Sequence, residues 1–219
     1  MTPPAASAQL PSFPAARGAT TLLLVRHAES RANAQGETEQ DTDSPLTKHG
    51  QQQAQYLAEA FRQTHVRAIV CSDTQRARDT VAPLAEARGL TVVEHPALRE
   101  PRSNRRPAHF VDAAQASALL ERLRTGQLPP PPPPAETHAE VVARLRDLIT
   151  TLPAEGPVVI CSHYVTLNVL VRLLIDANPA PSALWAHFAN ASVTRVDLPA
   201  SRHPPVGILT YLNWVPPGA

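Results

Sequence analysis

Residues 22–33 have the sequence LLLVRHAESRAN, and the rest of the chain is organised around this segment. Its apolar run, Leu22 to Val25, ends abruptly in Arg26 and His27. A short apolar run that is bounded by polar residues predicts a strand buried on both faces of a sheet. Arg26 and His27 then lie at the carboxyl end of that strand, which is the edge of an open α/β sheet where ligands bind. The pattern favours an active-site histidine over a solvated histidine that merely ends a strand.

The composition indicates one globular domain. The chain has 219 residues, of which 43% are hydrophobic and 18% charged, and the formal net charge is +1. This length is enough for a single α/β domain with a substantial core. The small net charge gives no electrostatic case for binding nucleic acid or a membrane surface. No apolar run approaches the roughly 20 residues that span a bilayer, so we expect neither partner.

The chain start and the cysteines bear on location. Residues 1–17 are rich in Pro, Ala and Ser and lack the basic and apolar regions of a signal peptide. They predict a flexible tail before a single domain at residues 18–219. Cys71 and Cys161 each follow an apolar run, and we expect buried thiols on neighbouring strands and no disulfide framework. A cytoplasmic location is the default expectation.

Apolar strands alternate with amphipathic helices along the chain, which is typical of an α/β fold. We predict strands at residues 20–25, 67–71, 90–94 and 157–161, with two more near 191–198 and 207–214. We predict helices near residues 47–63, 72–88, 110–125, 136–152 and 165–175, and a polyproline II spacer at 129–134. Thr47 is the expected N-cap of the first helix, and Ser72 or Asp73 of the second. The pattern predicts a three-layer α/β/α sandwich with a mostly parallel central sheet.

Arg76 and His163 are further candidates for a site at that sheet edge. Arg76 lies in the first turn of a predicted helix, where free backbone amides favour an anion. Glu100 follows the third strand, and His163 follows the fourth, in a second apolar run that ends in histidine. The simpler alternatives are a surface cation, a solvated carboxylate and a buried structural histidine.

The motifs and their order resemble the histidine phosphatase superfamily, also called the phosphoglycerate mutase-like family. The family pattern is Arg-His-Gly-Glu, three residues, then Asn. Arg26, His27, Glu29 and Asn33 match it, and Ala28 replaces the glycine. Further matches are Pro45-Leu46-Thr47 with Gly50, Ser72 with Arg76, Ala77 and Thr80, Leu98 with Glu100, and Ser162-His163.

The sequence departs from the family at Tyr164, which follows His163 where the family has glycine. If the backbone there has a positive φ, a tyrosine is strained, and its phenol is expected to enter the pocket.

The resemblance implies a phosphohistidine mechanism. His27 is the implied nucleophile, Glu100 the general acid and base, and Arg26, Arg76 and His163 surround the phosphoryl oxygens. Spacing alone does not separate His27 from His163 as the nucleophile. We expect Asn33 and Tyr164 to contact the substrate, a small phosphorylated molecule.

We expect no cofactor and no metal, because the arginines supply the positive charge. No H-E-x-x-H or paired-Cys pattern indicates zinc, and no Gly-rich nucleotide motif is present.

Three functions remain open from the sequence, with a metal-independent phosphatase first. A mutase of the same family is second, because the mutase word Glu-Arg-His-Tyr-Gly is absent after Glu100. A non-catalytic module that binds a phosphorylated ligand is third. Arg102, Arg105 and Arg106 either hold a second anionic group of the substrate or form a solvated basic loop, and the second reading is favoured. The sequence does not specify the substrate or the oligomeric state.

Overall fold

The computed structural model describes residues 9–15, 18–36, 44–102, 135–153, 156–175, 186–199 and 206–219. Within these ranges the chain forms one six-stranded sheet with the order β3-β2-β4-β1-β5-β6. The strands are β1 (Thr20–Arg26), β2 (Ala68–Cys71), β3 (Val92–Glu94), β4 (Val158–Ser162), β5 (Val193–Leu198) and β6 (Ile208–Trp214). Strands β1 to β4 are mutually parallel, and β5 runs antiparallel to both β1 and β6.

Five α-helices belong to the described part of the chain. They are α1 (Arg31–Ala34), α2 (Lys48–Ala60), α3 (Gln75–Arg88), α4 (His138–Thr151) and α5 (Tyr164–Ile175), and a 3-10 turn spans Pro96–Leu98. Helices α2 and α3 pack on one face of the sheet, while α4 and α5 pack on the other. The predicted α/β fold with a mostly parallel sheet is therefore confirmed.

Strand β1 is central because its side chains serve two cores. Leu22 and Leu24 pack with α4 and α5, whereas Leu23 and Val25 pack with α2 and α3. A strand covered on both faces has no solvent side, which explains its unbroken apolar run. The register pairs Arg26 of β1 with Ser162 of the parallel strand β4. The residues that follow these two strands therefore start from neighbouring positions.

One predicted cap is confirmed and another is wrong. Thr47 caps α2, because its side chain accepts a hydrogen bond from the Gly50 amide at 2.9 Å. Helix α3 begins later than predicted, with Thr74 at the N-cap position and no side-chain cap bond. Ser72 and Asp73 do not cap α3, since their side chains bind other partners.

The two cysteines lie where the sequence predicts. Cys71 and Cys161 are both buried, and they face each other in the register of β2 and β4. Burial raises the pKa of Cys71 to about 12 and that of Cys161 well above its usual value.

The predictions for the first 17 residues and for residues 103–134 lie partly or wholly outside the described ranges. The Leu10 amide donates to the Ala60 carbonyl at 3.2 Å, and the Phe13 carbonyl accepts from Arg195 at 2.8 Å, so residues 9–15 contact the domain. Arg105, Arg106, the helix at 110–125 and the proline run at 129–134 lie outside the described residues. None of the described helices is long and apolar enough to cross a membrane.

Candidate active site

The two motif histidines meet at the carboxyl edge of the sheet. His27 directly follows β1, and His163 directly follows its parallel neighbour β4. The His27 amide donates to the Ser162 carbonyl at 2.9 Å, which extends the strand pairing to the histidine itself. The ring centroids lie 5.0 Å apart, and each residue is only 1% exposed. Two histidines that are 136 residues apart in the sequence are therefore adjacent and buried in the structure.

The hydrogen bonds of His27 fix which ring nitrogen carries the proton. Its Nδ1 lies 2.8 Å from the Ala28 carbonyl oxygen. A carbonyl oxygen only accepts, so Nδ1 must be the donor. In the neutral ring, Nε2 then carries the basic lone pair. That is the nitrogen that can attack an electrophile.

His163 has the opposite tautomer. An Arg76 guanidinium nitrogen lies 3.2 Å from its Nδ1, and a guanidinium only donates, so Nδ1 accepts. The Nε2–H of the neutral ring donates to the Ser72 hydroxyl at 2.9 Å. Burial, together with the nearby His27 and Arg76, holds the pKa of His163 well below its usual value. His163 is therefore neutral at physiological pH.

Two arginines on different elements supply positive charge to the site. Arg76, in the first turn of α3, is only 3% exposed. Thr80 on the next turn donates to the Arg76 carbonyl at 2.6 Å and accepts from the Ala28 amide at 2.9 Å. This hydroxyl ties the first turns of α3 to the loop after His27. A buried cation beside the N-terminus of a helix is suited to bind an anion.

Arg26, at the end of β1, is held by the segment before β5. Its Nη1 donates to the Phe188 carbonyl at 2.6 Å. The carbon at the centre of its guanidinium lies 5.3 Å from the centre of the Tyr164 ring, which is cation–π distance.

Tyr164 does not meet the condition under which we expected backbone strain, namely a positive φ. It is the first residue of α5 and has a helical backbone. Among the described residues, only Ala191 and Asn213 combine a positive φ with a side chain. Tyr164 is not strained, because the chain enters α5 directly after His163, without a left-handed turn.

Glu100 lies at the N-terminus of α5. Its carboxylate accepts from the amides of Val165 at 2.9 Å and Thr166 at 3.1 Å. Burial raises its pKa above the usual value, while these amide bonds and the charge of Arg26 act in the opposite direction. A carboxyl group with a raised pKa near a cationic site can both give and take a proton.

Four hydrogen bonds hold the loop that carries Glu100. The Ser162 hydroxyl donates to the Leu98 carbonyl, and the Thr166 hydroxyl donates to the Arg99 carbonyl, each at 2.7 Å. The Arg99 guanidinium in turn forms two bonds of 2.6 Å to the Asp73 carboxylate. Asp73 thus connects two loops of the site, which explains why it does not cap α3.

Asn33 has a structural partner in the site. Its side-chain oxygen accepts from the Asn190 side chain at 2.9 Å, and Asn190 also donates to the His27 carbonyl at 2.9 Å. Next to Asn190, Ala191 holds a φ of 54° and donates from its amide to the Arg26 carbonyl at 3.1 Å. The sequence alone did not predict these contacts of Phe188 and Asn190. Their partners lie more than 150 residues away, and no local pattern identifies such contacts.

The described residues combine a basic ring nitrogen, two guanidinium groups, a neutral imidazole and a carboxyl group with a raised pKa. Within those same ranges, no group of three or more His, Cys, Asp and Glu side chains is placed to hold a metal ion. The arrangement can bind a phosphoryl group and attack its phosphorus.

Known proteins share this sequence pattern and fold. The chain is 31% identical over 185 residues to a protein of Erwinia tasmaniensis named probable phosphoglycerate mutase GpmB, with 80% of this chain and 84% of that protein covered. The solved structure of mycobacterial glucosyl-3-phosphoglycerate phosphatase Rv2419c superposes with a TM-score of 0.70 at 26% identity, covering 90% of this chain and 99% of that one.

The fold is also that of a phosphoglycerate mutase from Bacillus anthracis, with a TM-score of 0.66, 19% identity, and coverage of 90% and 93%. The profile of the histidine phosphatase superfamily (branch 1) matches residues 22–206, which include both histidines, both arginines and Glu100. The chain belongs to the histidine phosphatase superfamily.

Proposed function

We propose that this protein is a metal-independent phosphatase that hydrolyses a phosphomonoester through a phosphohistidine on His27. The observation that carries the proposal is the hydrogen bond from His27 Nδ1 to the Ala28 carbonyl, at 2.8 Å. When this buried ring is neutral, the hydrogen bond leaves Nε2 as its basic nitrogen. The members of this superfamily act on small phosphorylated substrates, and we assign such a substrate to this site.

In the first step, the lone pair of His27 Nε2 attacks phosphorus and the bond to the leaving oxygen breaks. Glu100 in its protonated form gives its proton to that oxygen, so that an alcohol departs. Arg26 and Arg76 neutralise the charge on the phosphoryl oxygens. The neutral His163 lies beside them, and Arg76 is held against its Nδ1 at 3.2 Å.

In the second step, Glu100 is a carboxylate and takes a proton from water. The water oxygen attacks phosphorus, the bond to Nε2 breaks, and inorganic phosphate leaves. The raised pKa of Glu100 supports this double role, because it keeps more of the group protonated near neutral pH than an ordinary glutamate.

A mutase is the second candidate, and its support is the name of the curated relatives, probable phosphoglycerate mutase. Both candidates share the first step and differ in what removes the phosphoryl group from His27. Water is the acceptor in a phosphatase, whereas a second hydroxyl of the substrate is the acceptor in a mutase. The absence of the mutase word after Glu100 favours water.

The test is hydrolysis of p-nitrophenyl phosphate in excess EDTA by wild type and His27→Ala. We expect EDTA-resistant turnover in the wild type and its loss in the variant. His65→Ala is the matched control, since His65 is exposed in the turn before β2, and it should keep full activity. Turnover that persists in His27→Ala, or that EDTA abolishes, would refute the proposal.

A second assay separates the two candidates. 3-Phosphoglycerate and glucosyl-3-phosphoglycerate are offered separately, and free phosphate and isomerised phosphoglycerate are both measured. Release of phosphate without isomerisation supports the phosphatase. Isomerisation that exceeds phosphate release would establish the mutase instead.

A further inference from the structure

Tyr164 lies beside Arg26, an arginine that we propose binds the phosphoryl group. It is 9% exposed and presents its ring to the Arg26 guanidinium at 5.3 Å. The edge of its ring also packs against Phe188, with ring centroids 6.3 Å apart and the planes at 87°. Phe188 in turn accepts the Arg26 hydrogen bond through its carbonyl. Each of these three residues therefore contacts the other two, namely Arg26, Tyr164 and Phe188.

Arg26 needs such support because a carboxylate is within electrostatic reach. The charge of Arg26 lowers the pKa of Glu100. Arg26 also lowers the pKa of Tyr164, whereas Glu100 raises it. A guanidinium that moved toward Glu100 would form an ion pair with it. Such a pair would withdraw a cation from the phosphoryl oxygens and favour the unprotonated form of the general acid.

We propose that Tyr164 is a positioning residue whose ring holds the Arg26 guanidinium toward the phosphoryl group. This inference rests on the proposed function in one respect, namely that Arg26 binds phosphate. It assigns the effect to the face of the ring, which attracts a cation, and not to the phenolic hydroxyl. It also gives the residue that replaces the family glycine a role in this chain.

The distinguishing experiment compares Tyr164→Phe with Tyr164→Leu. Phenylalanine keeps the ring face, whereas leucine fills much of the space without one. We expect Tyr164→Phe to retain most of the wild-type kcat/KM for p-nitrophenyl phosphate, and Tyr164→Leu to lose roughly 3- to 30-fold. The dissociation constant for inorganic phosphate, measured by calorimetry, should weaken in Tyr164→Leu and not in Tyr164→Phe. Equal losses in both variants would overturn the proposal, since the hydroxyl would then be the functional group.

A double variant tests whether the effect passes through Arg26. In an Arg26→Ala background, Tyr164→Leu should cause little further loss, because the cation that it positions is gone. The same fold-loss in both backgrounds would show a merely structural role and overturn the proposal. Thermal melting of each variant checks that the fold is retained.

Failure of the proposed function would look different. A wild-type protein that neither turns over p-nitrophenyl phosphate nor binds phosphate would refute the phosphatase. The inference about Tyr164 would still be decided by a crystal structure of Tyr164→Leu. Displacement of Arg26 from the Phe188 carbonyl supports positioning, and an unmoved guanidinium overturns it.

Discussion

Gly50 offers a direct test of how tightly the loop after His27 is packed. A Cβ added at this first-turn position of α2 would lie 2.0 Å from the Glu29 carbonyl oxygen and 2.9 Å from its carbon. Contacts under 3.0 Å are essentially never seen, so the helix and the loop must separate by roughly 1 Å. The Glu29 peptide also accepts from the Thr47 amide at 3.0 Å, and that bond would be strained.

The expected cost of Gly50→Ala follows from these contacts. Overpacking costs about 1–3 kcal/mol, and the weakened hydrogen bond adds about 1 kcal/mol. For a chain of this size, the sum lowers Tm by about 5–15 °C. Because His27 lies two residues before Glu29, a 1 Å displacement should lower kcat about 100-fold. Thermal melting and p-nitrophenyl phosphate turnover measure the two effects.

Gly89→Ala is the matched control, because it is the same substitution in a different setting. Gly89 has a φ of 61°, and a Cβ there meets nothing within 4 Å. It ends α3, about 20 Å along the helix from Arg76. A side chain in this left-handed conformation costs about 1–2 kcal/mol, with no effect on turnover. Wild-type turnover in Gly50→Ala, or a Tm no lower than that of Gly89→Ala, would refute the reasoning.

Three further predictions concern titratable groups. Glu100→Gln should slow hydrolysis of an alkyl phosphate about 100-fold or more, and that of p-nitrophenyl phosphate less, because nitrophenolate leaves without a proton. Its Tm at pH 7 should not fall, since the raised pKa means that ionised Glu100 opposes folding; a large drop would contradict this. His163 has a lowered pKa, so the unfolded chain binds the extra proton. The free energy of unfolding should therefore decrease as the pH falls below 6.5, by at most about 1.4 kcal/mol per pH unit. His163→Gln should reduce that slope in pH-dependent unfolding, and an unchanged slope would count against it. Cys71 and Cys161 should not react with a thiol reagent until the protein unfolds, because burial raises the pKa of both thiols; rapid native labelling would disprove their inertness.

The fold was predictable where hydrophobic periodicity carries the information. The run at Leu22 to Val25 predicts a doubly covered strand, and the structure places its residues alternately in two cores. Strand order is a different matter, because no periodic pattern states that β1 lies between β4 and β5. The cap of α3 was mispredicted because Ser72 and Asp73 both resemble caps but are bound by His163 and Arg99.

The candidate site was predictable only in part, for a similar reason. Arg26, His27 and His163 stand at strand ends, and their motifs mark them in the sequence. The residues that hydrogen-bond to them were not predicted from the sequence. Phe188 binds Arg26 across 162 residues, and Asn190 binds His27 across 163. Such contacts depend on the packing of the whole domain, and neither residue type is unusual where it stands.

Spacing left the two histidines equivalent, and their hydrogen-bond partners make them different. His27 contacts a carbonyl, which can only accept, so the ring must donate from Nδ1. His163 contacts the guanidinium of Arg76, which can only donate, so the ring must accept at Nδ1 and donate from Nε2 to Ser72. In its neutral form, His27 therefore has its basic nitrogen at Nε2, whereas the basic nitrogen of His163 is Nδ1, which accepts from Arg76. The different roles proposed for the two histidines therefore follow from two hydrogen-bond partners, the Ala28 carbonyl and the Arg76 guanidinium. The histidine motifs alone do not reveal these contacts.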